Sequence, residues 1–309
     1  MGKPWPRLEA AGTWPGAHER LAPPGRRLSV QRVFEWAHMR IEISNVSMSY
    51  RTSSRGRSVR ALESVDVDVP EAEFFALVGP SGCGKSTLLK LAAGLLSPTT
   101  GEIRLGGQPV TGPRTDVGFM FQSPVLLPWM SVVDNVMIQA KIRRLEPRRF
   151  EQRSRELLMQ VGLAGYEERY VFELSGGMQQ RVAFCRAIVH EPSVLLMDEP
   201  FGALDALTRE QVGLDLQRMW IARGGQTVLF VTHSIAEAAL LADRIAVFSP
   251  GPGRILETLD VPFPRPRTAE MMNTKAFGQL TTHVRSLITL PNGGAAPRRL
   301  VRGPGVADA

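Results

Sequence analysis

The sequence predicts an α/β fold in which buried strands form a central sheet flanked by helices, and three observations point to it. Short apolar runs that stop at glycine or at acids, EFFALVG (73–79), VLLMDE (194–199) and TVLFVTHS (227–234), have the length and composition of strands buried on both faces. The first passes through a glycine-rich turn into KSTLLKLAAGLL, whose apolar spacing is helical. The alternation in IEISNVSMSY (41–50) and LESVDVDV (62–69) reads instead as half-buried antiparallel strands.

Along the chain, residues 1–38 are rich in Pro, Gly and Arg, lack periodicity and are read as a disordered extension. Met39 immediately precedes the first patterned strand and is read as the natural start, which intact-mass analysis would test. A mostly helical section is expected over about 131–170, broken at Pro147 and near Gly162. Further helices are expected at about 205–223 and 234–242, and RIAVFS and GRILETL read as closing strands. The folded domain is placed at 39–260, with a helical subdomain at about 123–185. Residues 261–309 are read as a partly disordered tail that carries one helix near 268–289. No internal repeat is visible, which argues against two tandem copies of the same module.

Bulk properties narrow the class. With 309 residues, 43% of them hydrophobic and 22% charged, the chain can build a large core without disulfides. Cys83 and Cys185 are too few for a disulfide framework and lack metal-site spacing; Cys185 is read as core filling. No apolar run approaches the eighteen or so residues that span a bilayer, and no secretory h-region is present. The net charge of +7 would suit nucleic acid, but the excess sits in 1–38 and beyond 260, leaving 39–260 with 24 basic and 25 acidic residues. The tails are read as solvated or weakly attracted to a membrane surface. The basic run KIRRLEPRRFEQRSREL (141–157) is interleaved with acids and amides and is read as a solvated helical face.

The chemistry concentrates in a few motifs. GPSGCGKS (79–86) fits G-x-x-x-x-G-K-[S/T] between a buried strand and a helix. Its glycines let successive N–H groups curl around a phosphate chain, and the helix that follows contributes its positive end. The candidate contacts are Gly79, Pro80, Ser81, Gly82, Cys83, Gly84, Lys85, Ser86 and Thr87. Lys85 would neutralise β- and γ-phosphates, and Ser86 would offer a hydroxyl to Mg²⁺. In VLLMDEP (194–200), Asp198 falls at the carboxyl end of a buried strand, where open α/β sheets hold ligands, and can hold the Mg²⁺ shell. Glu199 is placed to orient or deprotonate an attacking water. LSGGMQQR (174–181) opens a helix at Ser175, Gly176 and Gly177, whose amides can face a phosphate, while Ser175 can also serve as an ordinary N-cap.

LSGGMQQR resembles the signature sequence of ABC ATPases, and the other landmarks then fall in that family's order over about residues 40–260. The resemblance implies a P-loop NTPase with a RecA-like core, an antiparallel β-subdomain and a helical subdomain, using ATP and Mg²⁺. It implies that Gln122 in FMFQSP senses the γ-phosphate and the metal, and that Asp205 in GALDA crosses a dimer interface. It implies that His233 in VTHS contacts the γ-phosphate and that Tyr50 stacks on adenine. Ser175, Gly176, Gly177, Gln179 and Asp205 would act in trans, across a head-to-tail homodimer.

The fifty or so residues between Gln122 and Ser175 hold no sustained heptads and no CxxC pair, against the DNA-repair branch of the family. LLPWMSVVDNV (126–136) and DEPFGALDALTRE (198–210) resemble the subgroup that imports nitrate, taurine, aliphatic sulfonates or bicarbonate-type anions. The implied partners are integral-membrane permease subunits and an external solute-binding protein, with no nucleic acid. The implied location is the cytoplasmic face of a bacterial inner membrane. An ABC ATPase acting on nucleic acid, or an importer subunit for another small solute, is the alternative. Trp129 reads either as part of a groove for the permease or as an aromatic packed beneath a Pro-initiated turn.

Overall fold

The computed structural model describes residues 39–51, 58–202, 204–222 and 224–289. The readings for 1–38 and for the last twenty residues lie outside the described residues.

Two sheets organise the domain. Strand β1 (Ile41–Arg51) pairs antiparallel with β2 (Ser58–Val69) on one side and with β4 (Thr100–Leu105) on the other, and β5 (Gln108–Pro109) closes the order β2-β1-β4-β5. The second sheet runs β10-β9-β3-β8-β7-β6, comprising β3 (Phe74–Val78), β6 (Val117–Met120), β7 (Val194–Asp198), β8 (Thr227–Thr232), β9 (Arg244–Phe248) and β10 (Ile255–Asp260). All its pairings are parallel except β9 with β10.

Strand period places two cores on the faces of this sheet. Phe74, Ala76 and Val78 of β3 point into one core with most of the helices, whereas Phe75 and Leu77 point into the other. That second core is the space between the two sheets, and helix α1 (Lys85–Ala92) fills it with Leu88, Leu89 and Leu91. The helix turns Leu88, Leu89, Leu91 and Ala92 into that core and leaves Lys90 exposed on its other side.

Helices α2 (Val132–Ile142), α3 (Pro147–Gln160) and α4 (Gly176–Ile188) form the helical section. Ser131 caps α2 by accepting from the Asp134 N–H, and Pro147 occupies the first turn of α3, where a missing N–H costs nothing. The basic run at 141–157 is indeed a charged surface, with Lys141 bound to Asp134, Arg153 to Glu191, and Arg155 to Glu151 and Glu168. Helices α5 (Ala206–Ala222) and α6 (Ile235–Leu241) match their expected spans closely.

Residues 261–289 do not trail away from the domain. Helix α7 (Lys275–Thr289) buries Phe277 and Val284 against the helical face of the sheet. Arg267 is 3% exposed and donates to the carbonyls of Ala239, Leu240 and Ala242 at the end of α6. Gln217 exchanges two hydrogen bonds with the Arg267 backbone. The boundary expected at 260 therefore falls inside a packed unit.

Candidate functional site

The site forms where β3, β7 and β8 end. Gly82 (φ 76°) and Gly84 (φ 100°) sit in the left-handed region, so the turn between β3 and α1 curls in a way that L-residues resist. No side chain caps the N-terminus of α1 and its first turn has no acid, which leaves the opening amides to face an anion. Lys85 is 4% exposed, and its ammonium donates to the carbonyls of Gly79 and Pro80, both at 2.8 Å, with Cys83 Sγ at 3.5 Å. A phosphate chain would compete with two carbonyls for this cation. Thr87 Oγ1 lies 3.2 Å from the Tyr50 hydroxyl, which fixes an exposed ring beside the first turn of α1.

The Ser86 hydroxyl donates to Asp198 Oδ1 at 2.7 Å. Two hard oxygen ligands are thus held together at the end of a buried strand, a donor set that suits Mg²⁺. Burial pushes the Asp198 carboxyl above its usual range, the Ser86 bond opposes this, and the neighbouring Glu199 adds to it. A nearby dication would relieve that penalty, so the residues fit the metal.

Glu199 is where the candidate site converges. Its Oε2 accepts from Gln122 Nε2 at 3.1 Å and lies 3.2 Å from His233 Nδ1, so the structure brings together the three residues expected to be catalytic. Glu199 also adopts φ 45°, a strained conformation for a side chain of its size. Its amide donates to the Val231 carbonyl, and its own carbonyl accepts from Gly202 N–H, which hold the strain in place.

Ser175 caps α4 by accepting from Met178 N–H, and Gly176 opens the helix. Gly177 lies against Leu204 and Thr208, joining this helix start to the segment that carries Asp205. Gln179 donates to the carbonyls of Val171 and Leu174, which places its amide on the 3-10 turn at Val171–Glu173. Asp205 accepts from Thr208 N–H and starts α5.

Three supporting residues were missed by sequence reasoning. Gln180, 1% exposed, donates to the Gln122 carbonyl and ties the start of α4 to the segment that presents Gln122. Arg186 reinforces this tie by donating to the carbonyls of Pro124 and Val125. Glu237 accepts from Thr232 Oγ1 at 2.6 Å and pairs with Arg209, which in turn donates to the Leu204 carbonyl. Gln180 lies within LSGGMQQR and Glu237 three residues after the Ser234 cap of α6, signals of a helix start that do not disclose these tertiary partners, and Arg186 carries no signal at all.

Trp129 is 70% exposed, which corrects the reading that packs it beneath a turn: Leu127 and Asn135 close that turn by hydrogen bonds and the ring points outward. Cys185 is fully buried, as expected of core filling.

Known proteins resemble this chain both in sequence and in fold. The sequence profile of the ABC transporter family matches residues 62–202. The chain is 44% identical over 223 residues to the taurine import ATP-binding protein TauB of Jannaschia sp. (strain CCS1), covering 72% of this chain and 82% of that protein. It is 44% identical over 238 residues to TauB of Rhizobium johnstonii, covering 75% and 90%. Among solved structures, the dimeric post-hydrolysis state of the ATP-binding cassette MJ0796, bound to ADP and Pi, matches with a TM-score of 0.64 and 29% identity. That match covers 72% of this chain and 100% of the other.

Proposed function

The chain belongs to the ABC transporter family as an ATP-binding subunit, and from that premise we propose that it powers uptake of a small anion such as taurine, an aliphatic sulfonate or nitrate. The observation that carries the chemistry is the convergence of Gln122 and His233 on one oxygen of Glu199, beside the Ser86–Asp198 pair. In this reading the amides of 79–87 and the Lys85 ammonium hold the β- and γ-phosphates, and Tyr50 supports the adenine. Ser86, Asp198 and Gln122 would hold Mg²⁺, which, when bound, would offset charge on the phosphate oxygens.

Glu199 orients a water molecule in line with the γ-phosphorus and takes its proton. The water oxygen bonds to phosphorus as the bond to the β–γ bridging oxygen breaks, and the bridging oxygen leaves with ADP. Gln122 and His233 keep the carboxylate aimed, and orientation of this kind is a large part of the catalytic advantage.

Ser175, Gly176, Gly177, Gln179 and Asp205 then cap nucleotide held by a second copy, in a head-to-tail homodimer. The exposed N-terminus of α4 supports that role, as does the dimeric state of the structural neighbour. No helix among the described residues is long and apolar enough to cross a membrane, and in this reading the membrane-spanning permease subunits are separate chains. The exposed Phe121, Val125 and Trp129 supply an apolar surface for them. The chain would sit peripherally on the cytoplasmic face of a bacterial inner membrane, with an external solute-binding protein delivering the anion.

The test is reconstitution with candidate permease subunits and a solute-binding protein from the same source, in liposomes loaded with Mg²⁺ and ATP. Uptake of labelled taurine or nitrate that depends on Glu199 supports the proposal. ATP hydrolysis stimulated by DNA and indifferent to the permease overturns it.

A further inference from the structure

We propose that the loop between β9 and β10, residues 249–254, is a positioning element for the phosphate loop, and that Gly253 is the residue through which it acts. The proposal rests on the reading of 79–87 as the triphosphate site and adds to it a second segment, remote in sequence, that sets its shape.

The argument begins with peptide geometry. In a trans peptide the C=O and the following N–H point in opposite directions, so fixing one fixes the other. A Cβ placed on Gly253 would overlap the carbonyl oxygen of Cys83, so that oxygen faces the 249–254 loop at close quarters. A Cβ on Gly251 would lie 3.8 Å from the Gly82 carbonyl oxygen, which faces the same way. Two successive carbonyls of the phosphate loop are therefore backed against this segment. The N–H groups of Cys83 and Gly84 are correspondingly turned to the other side, toward the mouth where an anion would sit. Gly253 does not have a positive φ, so its backbone would accept alanine; what excludes a side chain there is foremost the Cys83 carbonyl oxygen, with the Phe248 ring edge next at 3.1 Å from such a Cβ.

The loop is built to hold that position. Gly253 N–H donates to the Ala61 carbonyl at 2.9 Å, and the Gly253 carbonyl accepts from Glu63 N–H at 3.0 Å, so the glycine is clamped onto β2. The same stretch of β2 closes on the phosphate loop from another side, because a Cβ on Gly84 would come within 2.7 Å of both Ala61 O and Leu62 Cδ2. Ser249, 7% exposed, closes the loop on itself: its N–H donates to the Arg254 carbonyl, and its hydroxyl accepts from Arg254 N–H. That hydroxyl proton is directed at the carbonyls of Pro250 and Pro252. Outside, Arg254 binds Glu63 at 2.6 Å, and the guanidinium holds that carboxyl below its usual range.

Displacing the Cys83 carbonyl would rotate the peptide that follows it and bring an acceptor, in place of the Gly84 donor, toward an anionic ligand. The consequence is a loss of triphosphate affinity with the fold intact. The experiment is calorimetric titration of the full-length chain with MgATP, which reads the dissociation constant and the binding-competent fraction separately. Gly253→Ala is expected to raise Kd at least tenfold with stoichiometry unchanged, and Ser249→Ala at least threefold. Either variant with Kd within twofold of the parent and a reduced competent fraction overturns the proposal, because that is what a merely structural residue does. Should Gly253→Ala fail to fold, the nearly isosteric Ser249→Ala decides alone by the same two numbers. If the parent chain itself does not bind MgATP, the nucleotide-site reading falls and takes this proposal with it; binding by the parent with indifferent variants sinks the positioning role only.

Discussion

Replacing Glu199 with glutamine keeps the shape of the side chain and removes its charge, at the atom on which the site converges. Oε2 receives Gln122 Nε2 at 3.1 Å and faces His233 Nδ1 at 3.2 Å. A hydrogen bond to a charged group contributes about 1.5–3 kcal/mol against about 0.5–1.5 kcal/mol for a neutral one. Two weakened bonds thus loosen the aim of the residue by about 2–3 kcal/mol, and the amide can no longer take a proton from water, a step worth about 10²–10⁴-fold. Turnover is expected to fall at least ~100-fold, or about 2.7 kcal/mol in the barrier. Nucleotide affinity should hold within about threefold, because neither Lys85 nor the Ser86–Asp198 pair is hydrogen-bonded to Glu199. With binding intact and cleavage blocked, the variant should accumulate as a dimer in Mg²⁺ and ATP. Phosphate release measured beside light scattering on a sizing column checks both halves. Turnover close to that of the parent would refute Glu199 as the base, and a strictly monomeric variant at saturating ATP would refute the shared site.

Three further outcomes follow from individual side chains. Asp198→Asn should abolish Mg²⁺-dependent hydrolysis yet melt at a higher temperature than the parent near pH 7. Burial raises the folded-state pKa, so the penalty on the charged form is absent below the ordinary value of 3.8 and grows as pH rises; equal melting temperatures at pH 7 would refute this. His190 is pushed down to about 4 by burial and by the charges of Arg143 and Arg153. The stability it supports is present above pH 6.5 and is lost as pH falls toward 4, at no more than ~1.4 kcal/mol per pH unit, so urea midpoints for His190→Gln should decline less than the parent's across that window. Arg267→Met leaves the carbonyls at the end of α6 without their buried donor and should cost about 3 kcal/mol in urea unfolding while MgATP affinity stays put.

Parts of the molecule were legible in sequence because their physics is local. EFFALVG, VLLMDE and TVLFVTHS are too short for helices and end at glycine, acids or a polar turn, and they became β3, β7 and β8 side by side. Glycines at 82 and 84 announce a backbone that only they adopt cheaply. Strands β4 and β6 were not anticipated. β6 has only four residues, and its Gly118 is there to let the Ala187 carbonyl approach, a demand made by a helix seventy residues away. β4 buries only Ile103 and Leu105, too short an alternation to stand out before β1 supplies its partner.

The same distinction separates the residues proposed to react from those that hold them in place. A carboxylate at a strand end, a lysine after a glycine turn and a histidine after a buried strand carry their chemistry in their type and position. Gln180, Arg186 and Glu237 act by bonding to backbone or to side chains brought near by the fold, so identity alone says nothing of them. Gly253 is the extreme case. It has no side chain, no unusual φ and no motif of its own, and what marks it is the 83–84 peptide pressed against it. The phosphate loop is thus not a self-sufficient motif: its glycines permit the curl, while β2 and the 249–254 loop, from opposite ends of the domain's sequence, decide which way its amides point.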